Sequence, residues 1–327
     1  MTQPSSLRWG ILGTGGIAKA FAADLKTLSG HTLAAVGSRT LSSAQAFAGL
    51  YGVSRVHGSY EALVSDSEVD VVYVATPHPM HCPNALLALN AGKSVLVEKP
   101  FAMSAEEASE MVSLARKKGL FLMEAMWTRF LPHIAEIRKI LAKGALGKIT
   151  TVQADHGQAM VPDPKGRMFA PELGGGALLD LGIYPVSFSS LVLGTPSKIT
   201  AVADRAFTGV DAQTSILLQY ASGAHAVLNT TLSAASPNRA AIVGTEGRIE
   251  IDRTFYAPTS FTIISREGKV VQRYENKYPE HGLREEAEEV LRCLKSGLKE
   301  SPLLPLDETV SIMKIIDEVR RQTLGAD

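Results

Sequence analysis

A chain that runs a short apolar strand, Leu7 to Leu12, straight into Gly13-Thr14-Gly15-Gly16-Ile17-Ala18 and then into a helical run has few folds open to it. Gly13 permits a tight turn, Gly15 lets backbone approach a phosphate, and Ala18 is small enough for the helix to lie against the strand. The unpaired N–H groups at the helix start, at Gly15, Gly16 and Ile17, form an anion seat. A second apolar strand follows at Thr32 to Gly37. Together these predict the first βαβ unit of a dinucleotide-binding domain.

Strand and helix patterns alternate up to about residue 125, which predicts right-handed crossovers and a parallel sheet. Val71-Val72-Tyr73-Val74 and Val95-Leu96-Val97 are unbroken apolar runs, suited to strands covered on both faces. Ser104 with Glu107 reads as a capping box opening the helix Ala105 to Lys118. Beyond residue 145 eight β-rich runs follow at short spacing, joined by turns such as Ala221-Ser222-Gly223 and Glu267-Gly268-Lys269. The expected fold is α/β: a Rossmann domain with a parallel sheet over 1–125, then an α+β domain with a large, mostly antiparallel, open-faced sheet over 126–327. Two helices, Leu283 to Lys295 and Leu306 to Gln322, are expected to close the chain. Too few helices cover that second sheet, so a homodimer formed through its open face is expected.

The 327 residues suffice for two cores, and a formal net charge of zero argues against a nucleic-acid partner. Cys82 and Cys293 are the only cysteines and stand far apart, so no disulfide framework is expected. The N-terminus lacks a basic n-region and no stretch reads as long enough to span a membrane, which predicts a cytoplasmic protein.

The second strand ends in Gly37-Ser38-Arg39-Thr40, where an acidic residue would hold the ribose 2′-hydroxyl of NAD. Ser38 and Arg39 instead suit a 2′-phosphate, which favours NADP over NAD. The next strand leads into Thr76, His78 and His81 at the carboxyl edge of the sheet, where ligands of open α/β sheets bind. For either histidine a capping or packing role serves equally well. The two have ligand-like spacing, but nothing completes a metal site, and no metal is expected.

Glu98-Lys99-Pro100 closes another apolar strand, and a charged pair there is better explained by a site than by core packing. Lys99 can donate to a substrate oxygen or stabilise a neighbouring anion. The Lys99–Pro100 bond is a candidate cis peptide. Further on, Gly174-Gly175-Gly176 leads into a helix that carries Asp180 and Tyr184 four residues apart on one face. Tyr184 is a candidate acid or base, and Asp180 a residue that orients substrate. The excursion from Gly157 to Gly194 that holds them is longer than a plain connection needs.

The glycine fingerprint, Glu98-Lys99-Pro100, Met126-Trp127-Thr128-Arg129-Phe130 and Asp180-Leu181-Gly182-Ile183-Tyr184 together resemble the glucose-fructose oxidoreductase / inositol dehydrogenase (Gfo/Idh/MocA) family over nearly the whole chain. A tyrosine closing the last motif resembles the branch that contains dimeric dihydrodiol dehydrogenases and NADP-dependent D-xylose dehydrogenases. The resemblance implies hydride transfer between nicotinamide C4 and a sugar hydroxyl, hemiacetal or cyclic diol carbon. Lys99 and Tyr184 would be catalytic with Asp180 assisting, and the dimer would form through the open sheet. It also places Trp127, Arg129 and His156 near the nicotinamide end or the substrate; by residue type alone, Phe130, Phe169 and His281 are further pocket candidates. Other members imply two alternatives: a glycosidase assisted by a bound NAD redox cycle, and a non-catalytic dinucleotide-sensing regulator.

Overall fold

The computed structural model describes residues 6–277 and 282–325. The chain divides into two compact units, the first made of residues up to 127 together with 282–310, the second of the remainder.

The first unit begins β1 (Leu7–Leu12), α1 (Gly16–Leu25), β2 (His31–Gly37), α2 (Leu41–Tyr51), β3 (Arg55–His57) and α3 (Tyr60–Val64). It continues β4 (Val71–Val74), α4 (His81–Asn90), β5 (Ser94–Glu98), α5 (Ala105–Lys118) and β6 (Leu122–Ala125). All six strands are parallel, in the order β3-β2-β1-β4-β5-β6. The order reverses between β1 and β4, which opens a crevice at their carboxyl ends. The apolar runs of β4 and the Val95–Val97 stretch of β5 are fully buried, as strands between two helical layers must be. Ser104 does cap α5, accepting from the Glu107 N–H at 3.2 Å. The sequence reading passed over β3, a three-residue edge strand too short to show a period.

In the second unit, α6 (Pro132–Ala142) precedes β7 (Ile149–Gly157), and α7 (Ile183–Leu193) precedes β8 (Lys198–Arg205), β9 (Asp211–Gln219) and β10 (His225–Thr231). Then come β11 (Ala240–Gly244), β12 (Gly247–Ile251), β13 (Phe261–Ser265) and β14 (Val270–Tyr274). The eight strands are ordered β14-β13-β12-β11-β7-β10-β9-β8, antiparallel except where β10 runs parallel to β7. Along β9 and β10 the side chains alternate: Ile216 and Leu228 are buried, whereas Val227 on the other face is 50% exposed.

Two closing helices follow, α8 (Leu283–Lys295) and α9 (Leu306–Thr323). The sequence reading assigned everything after residue 125 to the second domain. By compactness, α8 and the chain through 310 group with the first unit, where α8 packs on α1. The segment Pro171–Leu193 corrects a second expectation, for it is long and apolar enough to span a membrane by length and composition. With 83% of its most apolar 18-residue stretch buried inside the protein, it reads as a core helix.

Candidate functional site

The glycine turn after β1 has the geometry its sequence requires. Gly13 has φ of +107°, and a Cβ there would lie 2.5 Å from the Ala75 carbonyl oxygen at the end of β4. Only glycine lets β1 turn this close to its neighbour. Gly15 caps α1 with no side-chain acceptor on the first-turn N–H groups, and nothing lies within 4 Å of where a Cβ would stand at Gly15 or Gly16. That open, donor-lined turn fits a pyrophosphate. Ala18 is fully buried under the strand. Past β2, Ser38 is buried and Arg39 exposed, close enough to Tyr60 to oppose the upward push that burial gives the Tyr60 hydroxyl. No carboxylate stands at Gly37-Ser38-Arg39-Thr40.

After β4, the Thr76 hydroxyl accepts from Asn84 Nδ2 at 3.2 Å, and the His81 ring lies between two backbone carbonyls, Pro100 O at 2.7 Å and Thr76 O at 2.9 Å. Burial, together with nearby Lys99, pushes His81 down to about 4, so at neutral pH the ring is uncharged and donates to one of the two. His81 thereby packs between the end of β4 and the Lys99-Pro100 turn. His78, also buried, sets its ring edge-to-face on His81 with centroids 5.6 Å apart.

Glu98 ends β5 with both carboxylate oxygens engaged: one accepts from the Tyr73 hydroxyl, the other from the Lys99 N–H at 3.1 Å. The Lys99–Pro100 peptide is cis. Beside Glu98 the sequence reading missed Glu286 of α8, which is fully buried with neither carboxylate oxygen hydrogen-bonded. Burial, then the charges of Glu98 and Asp24, push Glu286 well above the usual carboxylate range. The signal was present: Glu286 stands three residues after Leu283 and four before Val290, within the buried stripe of an otherwise acidic helix.

The second unit carries the remaining candidate residues. Gly175 and Gly176 turn the chain against β9, where Asp211 Oδ2 accepts from the Leu178 N–H at 2.7 Å and from the Thr214 hydroxyl at 2.9 Å. Burial pushes Asp211 up to about 6. The helix so anchored opens with a π-helical turn, Leu178–Gly182, that carries Asp180 and leads into α7 with Tyr184. Such wide turns recur at functional sites. Asp180, 4% exposed, is gripped by Arg167, with Nη1 to Oδ1 at 2.6 Å and Nη2 to Oδ2 at 3.3 Å.

Tyr184 is bracketed by two rings. His156, at the end of β7, lies 5.2 Å from it edge-on, and Tyr256 lies 5.0 Å away while stacking on His156 at 3.8 Å. Gln158 Nε2 reaches His156 Nε2 at 3.0 Å. Asn238 positions this group: its side chain bonds both the N–H and the carbonyl of Gly157, and its own carbonyl accepts from the Phe255 N–H at 2.9 Å. Arg167 and Tyr256 escaped the sequence reading, because neither lies in a motif and each meets its partner only through the fold.

Arg129 is 3% exposed, with Nη1 on the Ser187 carbonyl at 3.0 Å, so the structure places it against α7. Trp127, half-buried, opens the same short 3₁₀ turn, in the last position of the first unit. Phe130 and Phe169 are buried, the latter packed with Met168, Ala177, Leu181 and Leu232. His281 lies outside the described residues. Lys99 belongs to the first unit, Asp180 and Tyr184 to the second. Among the described residues no group of three His, Cys, Asp or Glu side chains is arranged to hold a metal.

A parallel sheet with a switch point, a donor-lined glycine turn and a separate unit carrying polar side chains define an NAD(P)-binding oxidoreductase. Residues 7–126 match an oxidoreductase family described by its NAD-binding Rossmann fold, and residues 134–250 match the GFO/IDH/MocA C-terminal domain. The chain belongs to the Gfo/Idh/MocA family. It is 41% identical to trans-1,2-dihydrobenzene-1,2-diol dehydrogenase of Danio rerio, covering 97% of each chain. It is 40% identical to the Homo sapiens enzyme of that name, over 97% of this chain and 96% of the other. Among solved structures it resembles an aldose-aldose oxidoreductase from Caulobacter crescentus, with TM-score 0.88, 28% identity and 97% of each chain covered. It also resembles the 3-ketoreductase KijD10 from Actinomadura kijaniata in complex with NADP and TDP-benzene, with TM-score 0.86, 27% identity, and coverage of 97% and 98%.

Proposed function

We propose that this oxidoreductase is NADP-dependent and interconverts a carbinol of a cyclic vicinal diol or sugar with the corresponding carbonyl. The observation that carries the reading is Tyr184, a phenol bracketed by His156 and Tyr256 one turn after a carboxylate, in a chain about 40% identical to dihydrodiol dehydrogenases over nearly its full length. When bound, the nicotinamide supplies or accepts the hydride. Tyr184 takes the hydroxyl proton as the carbinol becomes a carbonyl, and returns it in the reverse direction. The Lys99 ammonium stabilises the phenolate form, and Asp180 orients the substrate. Gly13, Gly15, Gly16, Ile17 and Ala18 would seat the pyrophosphate, and Ser38 with Arg39 the 2′-phosphate. Thr76, His78, His81 and Glu98 shape the edge beside it, with Trp127, Arg129 and His156 toward the reacting end.

The test is reduced-nicotinamide absorbance with NADP⁺ across a panel of cyclic diols and aldoses. Lys99→Met and Tyr184→Phe should keep NADPH affinity while turnover falls ~10²- to 10⁴-fold. Near-normal rates in both would sink the assignment. A tightly held cofactor without net turnover would point instead to redox-assisted glycoside cleavage.

The outward face of β8, β9 and β10 carries Val202, 69% exposed, and Val227, 50% exposed, and supports a homodimer through this sheet. Two buried free cysteines, each pushed up to about 12 by burial, suit a reducing cytoplasm.

A further inference from the structure

We infer that Arg167 and Asp180 together form a vicinal-diol subsite, in which the guanidinium and the carboxylate engage the hydroxyl next to the one that reacts. The inference rests on the proposed dehydrogenase reading and names the feature its substrates must share.

Arg167 reaches Asp180 from the long excursion before α7, one residue ahead of Met168 and Phe169. Those two pack into an apolar cluster with Ala177, Leu181 and Leu232, which fixes the segment against the helix that bears Asp180. The resulting pair is asymmetric: the Asp180 side chain is 6% exposed and that of Arg167 54% exposed. The carboxylate is therefore held in place while the guanidinium stays within reach of a solute.

The chemistry selects the ligand. The pair is neutral as a whole, so it offers no net attraction to an anion or a cation. It presents strong N–H donors beside a strong acceptor. A hydroxyl both donates and accepts, so the one beside the reacting carbinol can accept from Arg167 and donate to Asp180, leaving the reacting hydroxyl to Tyr184. Asp180 stands on the π turn four residues before Tyr184, so the subsite and the acid/base lie on one helical run.

Steady-state kinetics with NADP⁺ on trans-1,2-cyclohexanediol and on cyclohexanol separate the possibilities. Wild type should prefer the diol in kcat/KM. Arg167→Met should reduce kcat/KM for the diol about tenfold to a hundredfold, mainly through KM, and reduce it for cyclohexanol by a clearly smaller factor. Arg167→Lys, which keeps the charge but not the fork, should fall between. Arg167→Gln is run beside them, with thermal midpoints as the folding control. Equal losses on both substrates would make Arg167 merely a support for Asp180 and overturn the subsite. No loss, or no wild-type preference for the diol, would also overturn it. Should wild type oxidise the diol while the variants keep its preference, the subsite fails and the dehydrogenase reading stands. Should wild type oxidise no substrate of the panel, the dehydrogenase reading itself falls.

Discussion

Single atoms decide whether the nucleotide turn exists. At Gly13 an added methyl group would lie 2.5 Å from the Ala75 carbonyl oxygen in a backbone conformation with φ of +107°, so steric overlap and strain act together. Gly13→Ala should weaken NADPH binding more than tenfold and lower stability by about 1–3 kcal/mol, read by NADPH fluorescence titration and thermal unfolding. Unchanged affinity would show that β1 relaxes without loss. The turn was legible in the sequence because its glycines, the strand before them and the helix after them lie in one short segment. Glu286 was legible only in part: its place in the stripe with Leu283 and Val290 stands in the sequence, but only the packed structure sets it beside Glu98.

At the scale of elements, α8 depends on a side chain distant in sequence. Asp24 Oδ2 accepts from the N–H groups of Leu283 at 3.0 Å and Arg284 at 3.3 Å, acting as the N-terminal cap that Gly282 cannot supply. Asp24→Ala should cost about 1 kcal/mol in urea unfolding, while Asp24→Asn, which keeps an acceptor oxygen, should cost less than half of that. Asp211 plays the same part for the π turn before Tyr184. Apart from β3, the strands of both sheets were legible from apolar runs and alternation, within a few residues of their observed ends. The assignment of α8 to the first unit was not, since its amphipathic stripe fits any apolar surface.

For the whole molecule, acid stability follows from buried histidines. Burial holds His81 and His133 down to about 4, against about 6.5 for an exposed imidazole. The unfolded chain thus binds more protons in that window, so stability is complete above it and is lost as pH falls from about 6.5 towards 4. Asp211, raised to about 6, has the opposite sign, and its ionisation withdraws stability as pH rises to that value. The thermal midpoint should therefore drop between pH 7 and pH 5; His81→Asn should flatten the drop and Asp211→Asn steepen it. Assembly is tested separately. Val227→Asp on the outer sheet face should convert a dimer to a monomer in sedimentation velocity, and a monomeric wild type at micromolar concentration would refute the interface.

Taken by itself, the sequence determined the two-part architecture, the phosphate-binding turn and the presence of Glu98-Lys99-Pro100 and Asp180 with Tyr184. These follow from periodicity, glycine conformation and spacing along one strand or helix, which are local properties. Only the tertiary structure decided that Arg167 grips Asp180, that His156 and Tyr256 bracket Tyr184, and that Glu286 lies buried beside Glu98. Each of these brings together groups from separate segments, and a pairing of that kind is set by packing, to which local pattern is blind.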